Sequence, residues 1–245
     1  MWAAGALECL PVSFSCIVRQ IVKTIIFILV GVGVLTLLTL VARSRRKTQE
    51  TRALLVNAKI AVCVLGANQS LVEQAESDYS IYLKHFPKTE MIKARDFMTL
   101  FGSLGSGRFN IIHLLAEYDE NGNLIDETGQ ALPVAAAYES FKAPYRLFFY
   151  FASSIGTERK EALNSILHST RDSHKGGPLD LVITIERGTA FADFLNQLVS
   201  GFKEGRLLNE AWLRIRPQDM GAPAPADEKG PWALLLLDFR KQAKK

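Results

Sequence analysis

The run TIIFILVGVGVLTLLTLVA at positions 24–42 carries no charge, and it is followed at once by the basic cluster Arg43, Arg45, Arg46 and Lys47. Nineteen helical residues at about 1.5 Å each span roughly 28 Å, close to the ~30 Å hydrocarbon core of a bilayer. A helix also satisfies its own backbone groups, as lipid requires. The run therefore predicts one transmembrane helix, over 21–43. A cleaved signal peptide fits poorly, because its positive charge precedes a shorter apolar run.

Positive residues are retained on the cytoplasmic side. Residues 1–23 carry Arg19 and Lys23 against Glu8, whereas 43–52 carry Arg43, Arg45, Arg46, Lys47 and Arg52 against Glu50. The expected orientation is single-pass, with the N-terminus outside the plasma membrane and the large domain cytoplasmic. The apolar segment 1–20 contains Glu8 and Pro11, which suits an interfacial segment or a helical extension better than a second span. Its Cys9 and Cys16 could pair if outside, but nothing demands it.

Residues 1–52 hold seven basic and two acidic residues, a net of +5, while the whole chain is +4. The remainder is therefore near −1. The basic character belongs to the membrane flank, and no nucleic-acid partner is expected. The cluster Arg43, Arg45, Arg46 and Lys47 is expected to face anionic lipid heads, with 44–58 as a basic juxtamembrane linker. Gly31 and Gly33 lack the Gly-x-x-x-Gly spacing of a dimerising helix, so a homo-oligomer is left open.

From about residue 53 onward there is enough chain for one sizeable domain, drawn over 59–245. Short β-branched runs alternate with longer amphipathic ones, the pattern of an α/β domain with a mainly parallel sheet and helices on both faces. Six strands are expected, at 59–67, 90–94, 109–118, 146–153, 179–186 and 232–238. Helices are expected at 71–86, 96–104, 134–141, 158–169, 191–202 and 207–215. Gly102, Gly105 and Gly107 mark a turn before the third strand. After that strand comes DENGNLIDETGQALP, where Asn121-Gly122 is a strong hairpin signal and Leu124 and Ile125 suit a small strand. It lies on the rim formed by the carboxyl ends of the strands, where open α/β sheets carry their sites. The Pro- and Ala-rich segment 221–230 reads as a loop before the last strand.

Three segments, FNIIHLLAEYDENGNL, RLFFYFASSIGTE and ITIERGTAFADFLNQLVSGFKEGRLLNEAW with the later PWALLLLDF, together resemble the CHAT peptidases. That family shares the caspase-like fold of the clan containing caspases and separase, and the resemblance covers most of 59–240. The first segment looks like the family's hydrophobic-His-Leu-Ala-x-His-Gly strand, the second like its strand ending in Ala-Cys-x-x-Gly. The third looks like its closing helix pair and final strand. Position by position, the resemblance puts the catalytic histidine on Glu117 and the nucleophilic cysteine on Ser153. Ala152 and Gly156 match the flanking pattern, and His113 matches an earlier, non-catalytic histidine. Tyr118 stands where a glycine is usual, which crowds the rim. The resemblance thus implies a catalytically degenerate caspase-like member.

The chemistry of the residues agrees, since a cysteine protease needs thiolate and imidazole within hydrogen-bond reach. The domain's only cysteine, Cys63, lies mid-strand, where it reads as a small buried hydrophobe. His113 precedes Glu117 by four residues on one strand, roughly 13 Å deeper, and reads as a core histidine. The sharper alternative is an active hydrolase with Ser153 as nucleophile and Glu117, Asp119 or His113 as base. A carboxylate of ordinary pKa is a poor activator of serine, and no Gly-x-Ser-x-Gly elbow surrounds Ser153 or Ser154. His85, His168 and His174 show no metal spacing. The turn Gly66-Ala67-Asn68-Gln69-Ser70 lacks both dinucleotide and P-loop patterns, with Ser70 a candidate N-cap. No metal or cofactor is expected.

The expected function is a membrane-anchored, catalytically inactive binding or regulatory module. Its recognition rim would comprise Glu117, Tyr118, Asp119, Asn121, Ser153 and Ser154, docking a protein or peptide. The resemblance implies a setting among bacterial defence or signalling systems, at the inner membrane. A membrane-perturbing or oligomer-forming effector is the remaining alternative.

Overall fold

A computed structural model describes residues 14–105, 107–140, 147–154, 159–173, 180–187, 191–215 and 232–236. Within these, the side chains of 14–28, 35, 147–154, 159–160, 162–163, 185–186 and 232–236 are not described. The chain divides into two units, Met1–Glu50 and Thr51–Lys245.

The first unit is the long helix α1 (Phe14–Val56), whose last turns enter the second unit. No proline interrupts it, and several of its polar side chains bond within the helix. Thr36 and Thr48 donate to the carbonyls four residues back, and Arg46 donates to Glu50 one turn on at 3.0 Å. The expected segment 1–20 is helical from Phe14 onward, and 1–13 lie outside the described residues. Residues 44–56 of the expected linker continue the same helix. Among the described residues no helix is long and apolar enough to cross a membrane. Positions 24–28 of the predicted span lie outside the described side chains.

The second unit is α/β. Its strands are β1 (Ile60–Leu65), β2 (Glu90–Ala94), β3 (Ile111–Tyr118), β4 (Asn123–Ile125), β5 (Ala131–Pro133), β6 (Leu147–Ser154), β7 (Leu181–Glu186) and β8 (Trp232–Leu236). The order is β2-β1-β3-β6-β7-β8, with the hairpin β4-β5 attached to β3. Pairings among β2, β1, β3, β6 and β7 are parallel, whereas β8 runs antiparallel to β7, and the hairpin is antiparallel throughout. The sheet is therefore mixed, not six parallel strands. The Asn121-Gly122 turn folds the chain back to add β4 and β5, and the last strand closes the edge in reverse.

The helices are α2 (Gln69–His85), α3 (Phe97–Leu104), α4 (Val134–Ser140), α5 (Arg159–Ser173), α6 (Phe191–Lys203) and α7 (Leu208–Ile215). They cover both faces, which is why β1 is apolar and buried at every position. On one face Val62, Val64, Ile111 and Leu115 pack with Leu71 and Tyr82 of α2, Leu198 of α6 and Leu208 of α7. On the other, Cys63, Leu114 and Ala116 pack with Leu100 of α3, Val134 of α4 and Ile166 of α5. Gly102, expected in a turn, lies inside α3.

The last turns of α1 belong to this domain. Leu55 is fully buried in the α2/α6/α7 core. Arg52 donates to the Gly205 carbonyl at 2.9 Å and to Glu210 at 2.5 Å, clasping the α6–α7 turn. The Leu207 N–H and the Arg52 guanidinium hold the Glu210 carboxyl below its ordinary pKa. The domain thus begins at Thr51, ahead of the boundary at 59 expected from the strand pattern, because one buried leucine on a charged helix leaves little trace in the sequence.

Candidate functional site

Parallel pairing sets the ends of β1, β3 and β6 side by side on one rim, and the register fixes which residues meet. Glu117 and Ser153 are direct partners across β3 and β6, as are Tyr118 and Ser154. The two positions that the CHAT resemblance assigns to histidine and cysteine therefore sit on adjacent strands, whose spacing is about 4.8 Å. The side chains of Ser153 and Ser154 lie outside the described residues.

Glu117 is half-buried, and its Oε1 accepts from Asn68 Nδ2 at 2.7 Å. Asn68 caps α2, its Oδ1 accepting from the N–H groups of Ser70 and Leu71 at 3.0 and 3.4 Å. The cap is thus Asn68 and not Ser70, since α2 starts at Gln69. One asparagine satisfies the helix start with its oxygen and holds the rim carboxylate with its nitrogen. The Ser70 and Leu71 amides at this helix start are thereby taken.

Tyr118 departs from the expectation that it crowds the rim. It is only 3% exposed and packs into the α3/α4/α5 core with Leu124 and Tyr138. Successive β3 residues face opposite sides of the sheet, so Glu117 faces α2 and Tyr118 faces the other layer. Asp119 organises the hairpin, with Oδ1 accepting from the N–H groups of Asn121 and Asn123 at 2.9 and 2.8 Å. Asn121 itself is exposed at the turn. Of the predicted rim residues with described side chains, Glu117 and Asp119 are half-buried and Asn121 is exposed, while Tyr118 is buried in the other layer.

Neither Cys63 nor His113 is placed to act at the rim. Cys63 is fully buried mid-strand, and desolvation pushes its thiol far above the ordinary range, so no thiolate forms there. His113 is 2% exposed, and both ring nitrogens are occupied. Nε2 lies 2.9 Å from Asp78 Oδ2, and Nδ1 lies 3.2 Å from the Tyr82 hydroxyl. A carboxylate at Nε2 requires the proton there, leaving Nδ1 to accept from Tyr82 in the neutral ring. His113 is a core histidine, four residues below the rim on β3.

Beneath the rim lies a buried polar network that the sequence reading missed. Arg187, which follows β7, donates to both carboxylate oxygens of Asp78 on α2, with Nη1–Oδ2 at 2.6 Å, and its guanidinium stacks 3.8 Å from the Phe191 ring centre. Asp78 is fully buried. Burial alone would raise its pKa, but the hydrogen bonds from Arg187 and His113 and the charge of Arg187 outweigh that and hold it below the ordinary value. A signal existed: Asp78 shares the helix face of Leu71, Ala75 and Tyr82, where a carboxylate demands a partner.

Among the described residues no group of three or more His, Cys, Asp or Glu could hold a metal ion. A concavity of about 450 Å³ between α6 and α7 is lined by polar residues, including Gln197, Ser200, Glu204, Arg206 and Arg214, and shares none with the rim. No protein-family model matches the sequence, and no curated protein matches it significantly.

Proposed function

We propose that this chain is a membrane-anchored, catalytically inactive caspase-like module whose strand-end rim binds a protein or peptide at the cytoplasmic face. The observation that carries the reading is the pairing of Glu117 with Ser153 on adjacent strand ends. This is the geometry expected if Glu117 and Ser153 replace the family's histidine and cysteine. A carboxylate hydrogen-bonded to Asn68 at 2.7 Å cannot do the work of an imidazole beside a thiolate. The hairpin β4-β5, paired to the end of β3 beside Glu117, instead suits a recognition surface.

The membrane assignment is supported by the uncharged run 24–42 and the basic flank after it. It is also supported by side chains that stay exposed around the helix, Leu29 at 65% and Leu38 at 60% among them. A helix apolar on all sides has no stable place in water. The bacterial defence or signalling setting comes with the caspase-like reading.

Full-length protein in mild detergent, assayed on peptide and ester substrates and with a fluorophosphonate probe, is expected to show no turnover and no labelling at Ser153. Hydrolysis abolished by Ser153→Ala would overturn the reading in favour of a serine hydrolase. The positive arm compares proteins co-purifying with the wild type and with the Glu117→Arg/Ser153→Arg variant. A partner lost only in the variant is the expected result; identical partners would remove the rim as the docking surface.

A further inference from the structure

Of the cations that follow the apolar run, Arg46, Lys47 and Arg52 are engaged with other groups and Arg43 and Arg45 stand apart. Arg46 is turned along the helix to Glu50 at 3.0 Å, and Arg52 is clasped to Gly205 and Glu210. Arg43 and Arg45 are exposed and have no side-chain partner among the described residues. At about 100° per residue they project from opposite sides of α1. The apolar residues before them share this property: Leu29, Val30, Val32, Val34, Leu37 and Leu38, all more than half exposed, are distributed around the helix.

A helix lying in the interface has an apolar face below and a cationic face above. Neither band of α1 has a face. Apolar side chains all round, followed within one turn by cations on opposite sides, match a helix threading the head-group layer, where phosphates surround it. We infer that Arg43 and Arg45 form an anionic-phospholipid site at the cytoplasmic interface, each binding a head-group phosphate on its own side of the helix. Arg46 and Arg52 lie outside this site. The inference rests on the membrane-anchor reading above and names its lipid class and the two residues that select it.

The test uses the full-length chain. Alkaline carbonate extraction of membranes carrying it checks the anchor, and native mass spectrometry in neutral detergent measures retention of phosphatidylglycerol against phosphatidylcholine. Each interfacial arginine is worth about fivefold in anionic-lipid affinity. The expected result is a protein that resists extraction and prefers phosphatidylglycerol, with the preference lost in Arg43→Gln/Arg45→Gln and kept in Arg46→Gln and Arg52→Gln. Resistance to extraction with no lipid preference, or a preference that survives the double variant or disappears in Arg46→Gln, overturns the site alone. Release by carbonate overturns the anchor and the site together.

Discussion

Replacing Asp78 with alanine is expected to destabilise the domain by about 3–5 kcal/mol, because it leaves a largely buried guanidinium without its carboxylate. Asp78 is fully buried, the Arg187 side chain is 15% exposed, and the pair is doubly hydrogen-bonded. His113 loses its Nε2 partner in the same substitution. At this domain size the loss corresponds to a fall of roughly 10 °C or more in Tm. Urea unfolding in mild detergent, followed by the fluorescence of Trp212 against the Phe194 ring, would measure it. Asp78→Leu combined with Arg187→Met should recover much of the loss, since removing both charges costs less than stranding one. A cost below 1 kcal/mol for Asp78→Ala would mean that the carboxylate does not neutralise Arg187 in the core.

The same pair sets a pH dependence whose sign follows from the direction of the shift. The Asp78 carboxyl is held below its ordinary value, so the folded state binds that proton less tightly than the unfolded chain. Its contribution is therefore complete above the unfolded pKa of about 3.9 and is lost as pH falls through that value towards the folded one. Stability measured at pH 7 and again near pH 3 should show the gap between wild type and Asp78→Asn narrowing on acidification. A gap that stays constant would assign the pH dependence to other carboxylates.

These interactions mark where sequence reading stops. The strands were legible because their covered faces force apolar, β-branched runs, and all six expected strands are present. β4 was legible from the Asn121-Gly122 turn, whereas β5 was not, since three residues ending in Pro133 carry no periodicity. The antiparallel return of β8 was invisible because an edge strand has the same composition in either direction. His113 and Cys63 were read as core residues from their mid-strand positions, and both are buried. Arg187 was missed because its partner lies 109 positions away, and only the fold brings β7 over α2. Glu117 and Ser153 lie on neighbouring strand ends, and Tyr118 was grouped with them by motif alignment. The pleat sends that side chain to the opposite layer from Glu117.

Gly122→Ala tests how firmly the fold fixes that rim. Gly122 has φ +78°, and a Cβ there would lie 2.3 Å from the Ser165 carbonyl carbon and 2.4 Å from the Ile166 nitrogen. Both are backbone atoms of α5, so no side chain can swing aside. The left-handed conformation costs a residue with a Cβ about 1–2 kcal/mol, and forcing the backbones apart adds about 1–3 kcal/mol. Gly129 is the internal control. Its φ is +80°, but nothing lies within 4 Å of its added Cβ, so Gly129→Ala should cost the conformational share alone. The difference between the two variants in urea unfolding measures the wedge between hairpin and helix. It has a functional reading too, because Asp119 and Asn121 keep their places on the rim through this turn, with Asp119 accepting the N–H groups of Asn121 and Asn123. Lifting the turn off α5 should therefore weaken any partner that depends on Glu117 and Ser153, even though neither is altered. Equal costs at 122 and 129 would show instead that the hairpin yields freely, and that the rim is shaped by its ligand and not by the fold.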